Sequence, residues 1–275
     1  MPIYQAIVLG IIQGLTEFLP VSSSAHLALA PWLLGWKDQG LAFDIAMHFG
    51  TLASVLIYFM RDWIQIIGQA FGIRIGSDPF LKDRPRILWY LMAASVPAGI
   101  AGLLFKKTVE TTLRSAYVIG VMAIVIGLVI LLSEMLGAKQ KHIGTLSFMD
   151  TMWMGMAQAV AIVPGTSRSG ITIAAGLFRD LDRATAARVS FLMSTPIIAA
   201  AALKDFWDLH KGGGLPPEMV QPFAVGIVVS GLTGCLVIAF FLKYLRRSSL
   251  KPFVVYRILF GVTVIGLALF RGFQG

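Results

Sequence analysis

The chain has 275 residues, 57% of them hydrophobic and only 13% charged, where soluble domains run at about 45–50% and about 25%. That balance excludes a soluble globular protein, and 28 glycines and 12 prolines without low hydrophobicity or a polar repeat exclude disorder and a collagen-like architecture. The net charge of +9, from 23 Lys and Arg against 14 Asp and Glu, reads as the cytoplasmic loops of a polytopic membrane protein rather than as a nucleic-acid surface, and the single Cys235 permits neither an internal disulfide framework nor a cysteine metal site.

In chain order, the first apolar run is 3–19. No Lys or Arg precedes Lys37, so the basic segment of a secretory signal is missing and this run is expected to stay in the mature protein. It meets Pro20 and the Ser22-Ser23-Ser24 cluster, then resumes as a short apolar helix. Full spans are expected at about 42–60, 87–105 and 116–136. A second interrupted run, 146–163, meets Pro164-Gly165 followed by Thr166-Ser167-Arg168-Ser169-Gly170, and three more spans follow at about 184–203, 223–242 and 253–271. Proline and hydroxyls at membrane depth are tolerated where the backbone is buried in protein or lines a wet cavity, so both interrupted segments are expected to dip in and return as re-entrant helix-loop-helix pairs.

The order of one broken pair and three spans occurs twice. Gln13 to Ser24 (QGLTEFLPVSSS) echoes Gln158 to Arg168 (QAVAIVPGTSR). The expected fold is an all-α polytopic membrane protein with six full transmembrane helices and two re-entrant segments. It forms a single integral membrane domain, 1–275, with a first repeat 1–137 and a second repeat 146–275 that is inverted because each half has an odd number of spans. Loops on the face reached after the first span carry 13 Lys and Arg, the other face carries 7, and Arg168, Arg188 and Arg257 complete the 23. The positive-inside rule then directs the first re-entrant pair and both termini outward.

Charge inside apolar runs is the most informative feature, since a central Asp or Arg costs about 2.5–3.5 kcal/mol on insertion scales. Glu17 and Arg168 stand in such runs, each beside a loop rich in hydroxyls. A lone ion pair joining the halves is the bland alternative. The stretch Glu17 to His26 offers an acid, the hydroxyls of Ser22, Ser23 and Ser24, and an imidazole, which supplies a metal ligand or base, a nucleophile and a proton donor. The stretch Pro164 to Thr172 offers Gly165, Thr166, Ser167, Arg168, Ser169 and Thr172 at the start of a helix, where N–H groups, the helix dipole and a guanidinium fork suit a phosphate. Gln13 lies one turn before Glu17 and can add an oxygen to a hard cation's shell. Helix capping covers any single serine and core packing covers His26; the combination in an apolar setting is what points to a site. Asp44 and His48, four apart on one helix face, are read as supporting residues.

With these motifs the sequence resembles the undecaprenyl-diphosphate phosphatase family, also called bacitracin-resistance proteins, over essentially the whole chain. The acidic motif stands as Gln13 and Glu17, and the Pro-Gly-x-Ser-Arg-Ser-x-x-Thr motif is complete from Pro164 to Thr172. The resemblance implies hydrolysis of undecaprenyl diphosphate to undecaprenyl phosphate on the outer face of the bacterial cytoplasmic (inner) membrane, assisted by Mg²⁺ or Ca²⁺. It implies recycling of the lipid carrier for cell-wall synthesis and a link to bacitracin resistance. It assigns Glu17 and Gln13 to the metal, Ser23 and His26 to nucleophile and acid/base in either order, and Arg168 to the phosphate clamp. Partners are then the polyprenyl diphosphate lipid and membrane lipids, with a homodimer left open. Gln13 departs from the family's acidic pair by one charge. The rival class is a transporter or flippase of the same carrier, which the inverted layout suits equally. Lys82-Asp83-Arg84-Pro85 faintly resembles the opening motif of unrelated acid-phosphatase-type lipid phosphatases, but the histidine that class needs is replaced by Ala174.

Overall fold

A chain in lipid must pair its backbone groups internally, which leaves helices or a closed barrel. The computed structural model describes residues 1–37, 40–73, 75–82, 84–111, 113, 115–211 and 215–271. Among them the chain is helical: α1 (Ile3–Phe18), α2 (Ser23–Leu34), α3 (Leu41–Tyr58), α4 (Met60–Ala70), α5 (Pro79–Lys82), α6 (Ile87–Thr111), α7 (Ala116–Leu136), α8 (Phe148–Val160), α9 (Arg168–Phe178), α10 (Arg183–Lys211), α11 (Pro217–Leu245) and α12 (Lys251–Arg271).

Five of these helices are long and apolar enough to cross a membrane, at Ile87–Phe105, Ala116–Leu136, Arg183–Lys204, Pro217–Leu245 and Lys251–Phe270. The sixth stretch expected, 42–60, corresponds to α3, Leu41–Tyr58, and the backbone bends at Phe59 into α4, whose Arg61, Asp62 and Gln65 make it amphipathic.

Packing pairs the helices in a pattern that survives exchange of the two halves. α1 lies on α11 and α8 on α6; α3 lies on α11 and α10 on α6; α3 packs on α10 and α7 on α12. Small residues permit these approaches. A Cβ at Gly155 of α8 would run into the Ala94 carbonyl of α6, and one at Gly50 of α3 into the Ser230 hydroxyl of α11. Serine hydroxyls cross the same seams, Ser54 to Gly231 O at 2.9 Å and Ser95 to Met193 O at 3.4 Å.

At one end of the bundle charges gather and pair. Arg183 binds Glu134 through Nε and Nη2, Arg179 and Lys141 bind Asp150, and the Leu250 amide donates to Glu134. Arg188 bridges Asp62 and Asp78, both at 2.7 Å. Arg84 donates to the Gly144 carbonyl, which gives it a structural role, and its neighbour Asp83 lies outside the described residues.

The two interrupted segments form helical hairpins. Arg179, just past α9, meets Asp150 in the first turn of α8. In the other, Trp36, just past α2, packs its ring on Tyr4 at the start of α1 with centroids 5.7 Å apart. At 1.5 Å per residue the four arms, of 16, 12, 13 and 11 residues, are each shorter than a hydrocarbon core of about 30 Å.

Candidate active site

The hairpin tips meet. Proline has no N–H to continue α1, and the chain leaves the helix extended at Leu19. Ser22, directly before α2, takes φ 78; Ser167, directly before α9, takes φ 68. Such positive φ at a non-glycine residue costs about 1–3 kcal/mol and persists where the surroundings impose it. Here the Ser167 hydroxyl accepts the Gly170 amide at 3.1 Å, and the Ser169 hydroxyl donates across to the Leu19 carbonyl of the other tip at 3.0 Å.

Glu17 is the centre. It is 6% exposed, and its carboxylate accepts from Ser23 Oγ at 2.6 Å, Gln13 Nε2 at 3.0 Å and Arg168 Nη2 at 2.8 Å, with His48 Nε2 at 3.7 Å. A charge-assisted hydroxyl contact of that length is among the stronger hydrogen bonds. These groups open on a cavity of about 320 Å³ whose polar lining includes Glu17, Ser22, Ser23, Ser24, His48, Ser167 and Arg168.

The remaining expected site residues stand outside this lining. His26 turns the other way: its Nδ1 donates to the Ser22 carbonyl at 2.7 Å, which leaves Nε2 to accept from the Tyr256 hydroxyl at 2.5 Å, and its ring stacks on Phe260 at 4.5 Å. The imidazole at the cavity is that of His48. The Asp44 side chain, expected to support His48, lies outside the described residues. Gly165 and Thr166 present their carbonyls to Arg257, at 2.9 and 3.1 Å, and Thr172 holds the Ser190 hydroxyl at 2.7 Å. With Ser169 they shape the loop rather than face the cavity.

Arg257 is the residue sequence reasoning missed. It is fully buried on α12, and its guanidinium donates to the carbonyls of Pro20, Met122, Ala123, Gly165 and Thr166 at 2.9–3.2 Å. It thereby fastens both tips and α7. Its signal in sequence was the same as that of Glu17, a charge within an apolar run. Gln158, the counterpart of Gln13 in the echoed segment, was also passed over; it is 2% exposed, with no partner on either side-chain polar atom.

A divalent cation suits part of this donor set. Gln13 Oε1 is buried without a hydrogen-bond partner beside the Glu17 carboxylate and the Ser23 hydroxyl. No cluster of three or more His, Cys, Asp or Glu exists among the described residues, so the oxygens fit an ion shared with phosphate rather than an all-protein cage.

Fold and site together define a multi-pass, all-helical membrane protein with a carboxylate, hydroxyls and a guanidinium gathered at two helix breaks. The chain belongs to the family described as bacitracin resistance protein BacA, whose model matches residues 6–263. It is similar to proteins named undecaprenyl-diphosphatase: one from Desulforudis audaxviator, 45% identical over 98% of this chain and 99% of the relative, and one from Pelotomaculum thermopropionicum, 44% identical over 99% of both. A third, from Moorella thermoacetica, is 43% identical over 98% of this chain and 100% of the relative.

Proposed function

We propose that this chain is an undecaprenyl-diphosphate phosphatase, a membrane enzyme that releases inorganic phosphate from the lipid diphosphate and returns undecaprenyl phosphate to cell-wall synthesis. The relatives' shared name and the family match support the activity. The observation that carries the mechanism is the contact of Glu17 with both Ser23 and Arg168 across two helix tips.

In this reading the Ser23 hydroxyl attacks the terminal phosphorus and passes its proton to Glu17, already 2.6 Å from it. The bond from that phosphorus to the bridging oxygen breaks, and the lipid monophosphate leaves with the electron pair. Water then attacks the phosphoserine, giving inorganic phosphate and restoring the Ser23 hydroxyl. Arg168, with Nη1 lacking a protein partner, grips oxygens of the diphosphate with its fork. Glu17 and Gln13 would hold the Mg²⁺ or Ca²⁺, which would supply positive charge to the phosphates. Both His26 nitrogens are engaged in packing, which favours Ser23 as nucleophile and gives His26 the task of fixing the Ser22 turn.

Two hairpins with short arms and coincident ends support the re-entrant reading, and α3, at 18 residues or about 27 Å, serves as the sixth crossing. The exchangeable packing pattern supports one integral domain with inverted repeats at 1–137 and 146–275. Paired basic loops at one end support a cytoplasmic assignment for that end, an inner-membrane location and a cavity open to the extracytoplasmic side.

Purified protein in detergent, given farnesyl or undecaprenyl diphosphate and Mg²⁺ or Ca²⁺, releases phosphate, and Arg168→Lys lowers the rate by about 10²-fold or more because an ammonium lacks the fork. Near-normal turnover by Arg168→Lys would remove the clamp assignment; no release by the wild type would turn the case toward a carrier flippase.

A further inference from the structure

Behind Arg168 lies a second cavity, of about 440 Å³, that shares Arg168, Ala161, Ile197 and Ala201 with the first. Its lining is otherwise apolar except for Gln158 and Lys204. Gln158 is 2% exposed, and neither Nε2 nor Oε1 has a hydrogen-bond partner; Arg168 Nη1 is likewise buried and unpartnered. Leaving such groups unpaired in an apolar setting costs about 1–3 kcal/mol each, so their persistence calls for a ligand that pairs them. On α6 the lining is low. A Cβ at Gly102 of α6 would meet no heavy atom within 4 Å, and one at Gly99 only Ile197 Cδ1 at 3.8 Å.

Building on the proposed phosphatase reading, we infer that this second cavity is the subsite for the ester phosphate and first isoprene unit of the lipid, and that Gln158 is its specificity-determining residue. Arg168 then spans the diphosphate. Its Nη2 edge belongs to the cavity of Glu17 and Ser23, where the terminal phosphoryl group reacts, and Nη1 serves the phosphate that stays on the lipid. The Gln158 amide donates to an oxygen of that ester phosphate and accepts from the water solvating it, while Gly99, Gly102 and Leu103 leave an apolar slot for the branched C5 unit. A primary amide suits this place because it adds no counter-charge to compete with Arg168. The two products therefore have separate seats, lipid monophosphate in the second cavity and inorganic phosphate in the first.

Isothermal titration of the full-length protein in detergent tests this without turnover, with farnesyl phosphate and inorganic phosphate as the two probes. Gln158→Leu, which removes the amide, and Gly102→Leu, which fills the slot from α6, each weaken farnesyl phosphate by about tenfold or more and leave inorganic phosphate unchanged. Equal weakening of both probes would mean one undivided pocket and overturn the inference, as would unchanged farnesyl phosphate binding in both folded variants. If wild-type turnover is absent while the divided binding pattern holds, the phosphatase reading fails and the subsite stands.

Discussion

At the break after α1, Ser22 with φ 78 precedes the first residue of α2; at the break after α8, Ser167 with φ 68 precedes the first residue of α9. Each serine sits 3.3 Å from the hydroxyl two residues on, Ser24 in one case and Ser169 in the other. A buried glutamine lies on the helix before each break, Gln13 and Gln158. Four residues further on the two segments diverge, Glu17 against Ile162, and the first helical residue after the break is Ser23 in one and Arg168 in the other. One backbone device thus carries two complementary halves of a site. The acid and nucleophile ride on one tip, the cation on the other, and the charges neutralise one another only when the tips meet at 2.8 Å.

Removing one partner is the harshest way to break this division. Glu17→Gln or Arg168→Gln alone abolishes phosphate release and costs about 3–5 kcal/mol, since each strands the opposite charge in a buried place. The double variant stays inactive but recovers stability relative to the sum of the singles, a coupling that thermal melts in detergent read as a double-mutant cycle. An additive result would mean the two charges act independently.

Arg257→Leu attacks the frame common to both tips. Five carbonyls lose their donor, and stability falls by about 2–4 kcal/mol with loss of activity in proportion to the unfolded fraction. Unaltered melting would show that the tips hold themselves.

A sharper comparison sets Ser23→Ala against Ser167→Ala. The first lowers phosphate release by about 10²–10⁴-fold with little change in melting. The second loses a cap worth about 1 kcal/mol and retains most turnover. Reversed outcomes would move the nucleophile to the second tip.

The smallest effect lies far from both tips, in the Arg188 bridge. Burial raises the Asp78 carboxyl, but the Arg188 hydrogen bond and charge and the amides of Phe80 and Leu81 outweigh it, holding Asp78 below the usual carboxylate range. A lowered folded value means the stabilisation is intact at neutral pH and disappears as acid carries the solution down through that value. Melting temperatures of wild type and Asp78→Asn differ modestly at pH 7 and converge toward pH 3; divergence in acid would contradict the sign.

The helix breaks were legible because Pro20 and Pro164 interrupt apolar runs and hydroxyls crowd beside them, signals that depend on neighbours in sequence. Glu17 and Arg168 were legible because charge in hydrocarbon is expensive. The sense in which an imidazole points was not. Ser23 and His26 are three apart on one helix, yet Phe260 and Tyr256 of α12 draw His26 away while α3 brings His48 in. Nothing local to residues 17–26 encodes α12. Arg257 carried the same signal of charge in an apolar run, but its task stayed unread because its partners are main-chain carbonyls from three distant segments. The end of the 42–60 stretch was read two residues long because hydropathy does not register the bend at Phe59, where α3 gives way to α4.

The reliance of both tips on Arg257 also sets a calendar for the molecule's birth. Ribosomal synthesis delivers the tip at Pro20 first, the tip at Gly165 and Thr166 much later, and α12 after both. Until that helix inserts, the carbonyls it will bind have no guanidinium to receive, so a nascent chain halted before α12 holds every residue of the cavity without the clasp that fastens its two tips to α7. The clasp on the two tips therefore forms at a late step of membrane insertion, after the last residue of the cavity has been made.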